Sequence, residues 1–184
     1  PAAKRIHHNY LGGLLEHTLS VARLCQQAAQ VYPQLNRDVL VAGAILHDIG
    51  KIKEYELQVT PEYTLEGKLL GHIVIGYGLI DQAIQKMRGE GHDFPPMLEN
   101  MIKHLILSHH GNLEFGSPVK PLFPEAFLVH VMDDLDAKMF VYFEKMARTD
   151  DEEQYITPYD SFYQQEFFTY RYQSEQPDQP DGDE

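Results

Sequence analysis

From residue 11 to 29 the apolar residues return every three or four positions, with Glu16, Arg23, Gln27 and Gln30 on the opposite side of the pattern. Leu14, Thr18, Val21, Ala22, Cys25 and Ala28 form one stripe. That period fits a helix with one buried face and cannot be laid on a strand, whose side chains alternate every second residue. The pattern recurs along the chain. Tyr32-Pro33 stops the first helix near residue 31, Asn36 is placed to cap a second, and Leu40, Val41, Ala44 and Ile45 carry the stripe toward Asp48, where Ile49-Gly50 turns the chain. Residues 53–69 alternate weakly around Thr60-Pro61, as an irregular segment or small hairpin would. A third helix is expected over about 71–88, and Pro95-Pro96 opens a fourth that carries Met97, Met101, Leu105 and His109. After a loop at 111–121, a long fifth helix is expected over about 124–148 and an aromatic-rich sixth over about 159–168. The expected class is all-α, a helical bundle with a small irregular or hairpin insertion after the second helix.

A chain of 184 residues has room for one domain with a sizeable core, expected over residues 1–172. Residues 173–184 hold Pro, Asp, Gln, Gly and Glu without a large apolar side chain, which predicts an acidic disordered tail. The formal charge of −13 excludes nucleic-acid binding through a diffuse basic surface. Any grip on a phosphate backbone must be local, carried by metal ions or supplied by another domain. The single Cys25 excludes an intramolecular disulfide and a cysteine-based zinc site, and a reducing compartment fits it best. No apolar run is long enough to span a bilayer, and Pro-Ala-Ala-Lys-Arg at the start lacks a signal peptide's apolar stretch, so a cytoplasmic protein without a membrane partner is expected. Beginning on Pro1, the sequence reads as a piece of something longer.

Five of the expected helical segments bring His or Asp toward the apolar side. His17 shares the inward face of the first with Leu14 and Val21. His47-Asp48 ends the second, His72 opens the third, His109-His110 close the fourth, and Asp133, Asp134 and Asp136 interrupt the apolar run of the fifth. One buried histidine is ordinarily a satisfied core residue; a convergent series is a ligand set. Imidazole with carboxylate and no thiolate suits manganese, cobalt, iron, nickel or zinc and suits calcium poorly. Six or seven such ligands exceed the needs of one tetrahedral ion, so two divalent ions about 3.5–4 Å apart are expected, with Asp48 as the bridging carboxylate. Phosphoester hydrolysis is the reaction such a pair serves, one ion activating water while both offset phosphoryl charge.

The ordered series His17, His47-Asp48, His72, His109-His110 and Asp133 resembles the HD superfamily of metal-dependent phosphohydrolases over residues 7 to about 140. Three stretches further resemble the YhaM-type 3'-5' exoribonucleases. They are His7-His8-Asn9-Tyr10-Leu11-Gly12-Gly13-Leu14-Leu15-Glu16-His17-Thr18, Ala44-Ile45-Leu46-His47-Asp48-Ile49-Gly50-Lys51 and Asp134-Leu135-Asp136-Ala137-Lys138. The resemblance implies that His17, His47, Asp48 and Asp133 hold a core metal, with Asp134 as the alternative to Asp133. It implies that His72, His109 and His110 complete a second ion or the phosphate pocket, and that Asp48 and Lys51 are catalytic, Lys51 lying near the phosphate. It further implies a nucleic-acid-binding OB fold ahead of this domain, RNA 3' ends as substrate and nucleoside monophosphates as product, with manganese the leading metal.

Three other readings stay open from the residues. Free nucleotides would suit the acidic surface. Cyclic dinucleotides are disfavoured because the loop after His110 lacks a Gly-Tyr-Pro signature, and a non-catalytic nucleotide sensor is disfavoured because the ligands and Lys51 are all present. His8 could reach the substrate or belong to a solvated arm, and Phe115 could stack on a base or sit in a connector. His104 and His130 read as core or surface histidines, the aromatic end piece as packing, and the acidic run at 150–153 as a solvated turn. A homo-oligomer is compatible with the sequence.

Overall fold

The computed structural model describes residues 12–56, 62–147 and 155–172. The expected tail, His8 and the acidic run lie outside the described residues. The contacts divide the chain into two compact units, one ending at Phe140 and the other beginning at Val141. No described helix is long and apolar enough to cross a membrane.

In the first unit, helix α1 (Gly13–Val31) buries Gly13, His17, Val21, Cys25 and Ala28, a stripe that places a histidine in line with the core. Helix α2 (Arg37–Leu46) starts at Asn36, whose side chain accepts from the backbone N–H groups of Asp38 and Val39, both at 3.1 Å. Such a cap satisfies two donors that the first turn leaves without partners. His47 and Asp48 follow in a tight turn, and a further turn of helix, α3 (Lys51–Glu54), comes where the sequence pattern predicts an irregular segment. Four residues are too few to display a helical period.

The insertion is a minimal hairpin. Strand β1 (Tyr55–Glu56) pairs antiparallel with β2 (Glu62–Tyr63), Tyr55 opposite Tyr63. Thr64 then caps helix α4 (Leu65–Gly89), which begins six residues before the expected start at 71. The reason lies at Gly71, where φ 70 and ψ 157 break the helix in two. A left-handed φ is open to glycine and costly to other residues. The first piece was hidden because Leu65, Leu69 and Leu70 stay exposed and give no buried stripe. Helix α5 (Pro96–Ser108) and a 3₁₀ turn (Leu113–Phe115) precede α6 (Pro124–Ala147), which begins in the first unit and ends in the second.

The core of the first unit gathers Val21 and Cys25 of α1, Leu40 and Ala44 of α2, Ile80 and Ile84 of α4, Leu105 and Ile106 of α5, and Val129 of α6. The α2–α3 turn is pressed onto α4 at Gly50. A Cβ there would collide with the His72 carbonyl and the Gly76 nitrogen. This close approach brings His47, Asp48 and Lys51 beside His72.

The second unit corrects the expected sixth helix. Residues 155–172 form no helix; they carry isolated antiparallel bridges, Ile156 with Phe168 and Asp160 with Gln165. Asp160 turns the chain by accepting from the N–H groups of Phe162 (2.9 Å) and Tyr163 (3.1 Å), and it is held by Lys145 at 2.6 Å. A short polar side chain that bonds its own following backbone competes with helix formation. Phe167 is buried against Tyr142, ring centroids 5.1 Å apart, whereas Phe168 is exposed.

Candidate metal centre

Four histidines converge on one carboxylate, and a fifth, His110, stands beside two of them. Asp48 is 2 % exposed, and its two oxygens face different partners. Oδ2 lies 3.7 Å from His17 Nε2, 3.5 Å from His47 Nε2 and 2.6 Å from Lys51 Nζ. Oδ1 lies 3.5 Å from His72 Nε2 and 3.6 Å from His109 Nε2. His17, His47 and Asp48 form one group whose ligand atoms are close enough to hold an ion; His72, His109 and His110 form a second. Asp133 joins the first, with Oδ1 3.0 Å from His17 Nε2 and 3.8 Å from His47 Nε2. Asp134 does not. It is exposed and pairs with Lys138 at 2.7 Å.

Each imidazole is held by its other nitrogen. Nδ1 donates to the Ala44 carbonyl in His47 (2.8 Å), to the Ile106 carbonyl in His109 (2.7 Å) and to the Phe115 carbonyl in His110 (2.7 Å). In His17 it faces Asp136 Oδ2 at 2.7 Å, and in His72 it faces Glu54 Oε1 at 3.2 Å. An acceptor on Nδ1 assigns the proton there and turns the Nε2 lone pair inward, the arrangement by which metal-ligating histidines are oriented. Two of the three carbonyls belong to the residue three positions earlier, so the end of a helix aims its own histidine.

The fit to divalent ions rests on atoms that the protein leaves unpaired. Asp48 Oδ1, His72 Nε2 and His109 Nε2 are buried and make no hydrogen bond. An orphaned buried acceptor costs about 1–3 kcal/mol unless something else meets it, and three around one point mark a ligand's place. Two nitrogen-rich groups sharing a carboxylate match the donor preferences of first-row transition ions.

The electrostatics differ across Asp48. Burial disfavours a charged His17, yet Asp133 and Asp136 on its two nitrogens outweigh this and raise its pKa to about 9. His47 is likewise raised, with Asp48 overcoming burial. Asp48 itself stays well below the carboxylate range because Lys51 and His47 outweigh its burial. On the other side, burial pushes His109 down to about 4, and burial with neighbouring His72 lowers His110. The carboxylates beside His17 and His47 thus favour the protonated imidazoles where an ion would sit. Burial thus disfavours a proton on His109 and on His110.

Lys51, at the first turn of α3, is 8 % exposed, so its ammonium serves Asp48 rather than solvent. Phe115 is 61 % exposed and stands at the mouth of a cavity of about 340 Å³ that His72 and His110 also line. His104 accepts from the Leu122 N–H at 3.1 Å, a loop contact away from the ligands. His130 donates through Nδ1 to the His109 carbonyl at 2.9 Å and so braces the α5 end. Glu54 and Asp136 are positioning residues: Glu54 is not singled out by the sequence, and Asp136 is counted there among the inward carboxylates without a role of its own. Asp136 lies one helical turn beyond Asp133, and Glu54 sits in a charged string, Lys51-Ile52-Lys53-Glu54, that reads as solvated.

A helical domain with a His-Asp pair at the end of one helix and histidines from three others around it is an HD domain. The chain belongs to the HD domain family, whose model matches residues 14–138. Its relatives include the 3'-5' exoribonuclease YhaM of Geobacillus sp. (strain WCH70), 45% identical over 139 residues that make up 76% of this chain and 41% of that protein. The YhaM protein of Bacillus velezensis is 43% identical over 148 residues, 80% of this chain and 46% of the relative. That of Bacillus subtilis (strain 168) is 44% identical over 139 residues, 76% and 43% of the respective chains. The chain thus spans less than half the length of the curated relatives it matches. No solved structure matches it.

Proposed function

We propose that this domain is the catalytic part of a metal-dependent 3'-5' exoribonuclease that removes nucleoside 5'-monophosphates one at a time from RNA. The observation that carries the reading is the split of Asp48, one oxygen toward His17 and His47, the other toward His72 and His109. That split suits a bridging carboxylate between two divalent ions, with manganese as the leading candidate. When bound, such a pair lowers the pKa of an attacking water and offsets charge on the phosphoryl oxygens. The proposed ligands are His17, His47, Asp48 and Asp133 for one ion, and His72, His109 and His110 with Asp48 for the other.

Lys51 holds Asp48 Oδ2 at 2.6 Å, which favours the ionised carboxylate, and its cation is assigned to offsetting charge that builds up on the phosphate. Phe115 is assigned to substrate. In the overall step, water oxygen bonds to phosphorus, the bond from phosphorus to the 3' oxygen of the preceding nucleotide breaks, and a proton goes to that oxygen. The relatives' names and their greater length support RNA as the substrate and a separate RNA-binding part, proposed to be an OB fold, on the whole protein. The charge of −13 is consistent with RNA affinity that comes from outside this domain. A cytoplasmic location fits an RNA substrate and a lone thiol.

The test is hydrolysis of short 3'-hydroxyl RNA oligomers beside free nucleotides, with manganese, after EDTA and with Asp48→Ala. Stepwise shortening that needs both metal and Asp48 is expected. Cleavage of nucleotides alone would replace the exoribonuclease with a nucleotide phosphohydrolase, and no turnover even at saturating RNA would replace it with a sensor or with an enzyme that is incomplete without its RNA-binding part.

A further inference from the structure

Beside the all-histidine group lies the cavity of about 340 Å³, lined at one end by His72 and His110 and otherwise by residues with no part in holding ions. Its walls are Leu70 and Val74 of α4, Phe115 of the 3₁₀ turn and Pro118, with His72 and His110 at the end that meets the metal centre. We infer that it is a subsite for the base of the 3'-terminal nucleotide, which it takes by its face and without regard to which base it is. The inference rests on the exoribonuclease reading and adds to it where the terminal residue sits and what the enzyme ignores.

Three observations lead there. First, among the described residues the lining holds no charged side chain, and its polar side chains are the two histidines, whose Nδ1 atoms are occupied by Glu54 and the Phe115 carbonyl. Apolar walls exclude a phosphate and offer no side-chain pattern for a base edge, whereas every base has a face that an aromatic ring can stack on. Secondly, Leu70, Val74 and Phe115 are 51%, 51% and 61% exposed although they border a concavity, so each has apolar surface that a flat ring would cover. The break at Gly71 sets Leu70 and His72 on either side of a left-handed residue, which puts an apolar wall next to a ligand. Thirdly, the turn that presents Phe115 also orients His110, through the 2.7 Å bond from Nδ1 to the Phe115 carbonyl. A base on the ring is therefore registered against the metal centre through one turn of backbone. The volume is near the bottom of the roughly 300–1,000 Å³ range of small-molecule pockets, room for one nucleotide and not for two.

The decisive comparison uses manganese-loaded protein and RNA oligomers that end in each of the four nucleotides or in an abasic 3' residue, cleaved by the unmodified chain, Phe115→Ala and Phe115→Tyr. The four natural ends should be removed within about threefold of one another, and the abasic end about 5- to 150-fold more slowly, the span seen when a stacked aromatic is truncated. Phe115→Ala should abolish the difference between natural and abasic ends, and Phe115→Tyr should restore it. Equal slowing of natural and abasic ends by Phe115→Ala, or a preference above about tenfold for one base, would overturn the inference. If the unmodified chain cleaves no RNA even at saturating oligomer, the exoribonuclease reading of this domain by itself fails. Calorimetric titration with AMP, CMP and ribose 5-phosphate then decides the subsite: tighter binding of both nucleotides that depends on Phe115 supports it, and equal binding of all three refutes it.

Discussion

The two sides of Asp48 are built differently. Toward His17 and His47 the protein supplies two further carboxylates, Asp133 as a neighbour and Asp136 as the acceptor behind His17, and both histidines are fully buried. Toward His72, His109 and His110 the carboxylate that faces in among the described residues is Asp48 Oδ1, with Glu54 behind His72, and that side opens into the cavity. A divalent cation is held in proportion to the negative charge around it and to its exclusion from water. The first group should therefore bind its ion tightly and keep it, and the second should bind an exchangeable ion that meets the substrate.

Removing the shared residue is the severest challenge to that contrast. Asp48→Ala should lose both ions and reduce hydrolysis by more than the about 10²–10³-fold that follows loss of one transition-state donor. Mass-spectrometric metal counting checks it; one ion retained would mean that the groups do not share Asp48. A sharper comparison sets His17→Ala against His110→Ala. The first should release the tightly held ion and cost about 10²–10³-fold in rate, whereas the second should leave one ion in place and be partly rescued by excess metal, as dialysis followed by metal titration will reveal. Equal losses in both variants would erase the distinction.

Glu54→Gln tests the second group from behind. Glu54 Oε1 accepts the His72 backbone N–H at 2.9 Å and faces its Nδ1 at 3.2 Å, so neutralising it should weaken only the exchangeable ion, by about 10- to 100-fold in calorimetric affinity. The smallest effect is one of pH. With its pKa raised to about 9, His17 carries a proton at neutral pH in the metal-free protein, and an ion on the first group must displace it. Affinity there should rise about tenfold per pH unit for each proton displaced and level off above about 9. His109, held down near 4 by burial, should add no such proton release above that pH. Titrations in buffers of different ionisation enthalpy count the protons released.

What the sequence disclosed and what it hid follow from the range of the interactions. The helix periods were legible because His17 lies in register with Val21 and Cys25, so the same stripe that builds the core carries the ligand inward. The residues that converge on Asp48 were legible because charged or polar groups interrupt apolar faces. Glu54 was not. It lies beside two lysines on a single turn of helix, and only the approach of α4 at Gly50 converts it from a surface charge into the support of His72. Asp133 and Asp134 were indistinguishable as neighbours in the sequence; the helix azimuth separates them, one toward His17 and the other toward Lys138. The aromatic segment misled because Tyr159, Phe162, Tyr163 and Phe167 approximate a helical period, and the side chain of Asp160 redirects the backbone.

The central claim is a pair of ions on either side of Asp48, and anomalous diffraction at the manganese edge from crystals grown with manganese measures it most directly. Two peaks about 3.5–4 Å apart are expected, one against His17, His47 and Asp133 and one against His72, His109 and His110, with Asp48 between them. A single peak, or two that do not share Asp48, would contradict the account.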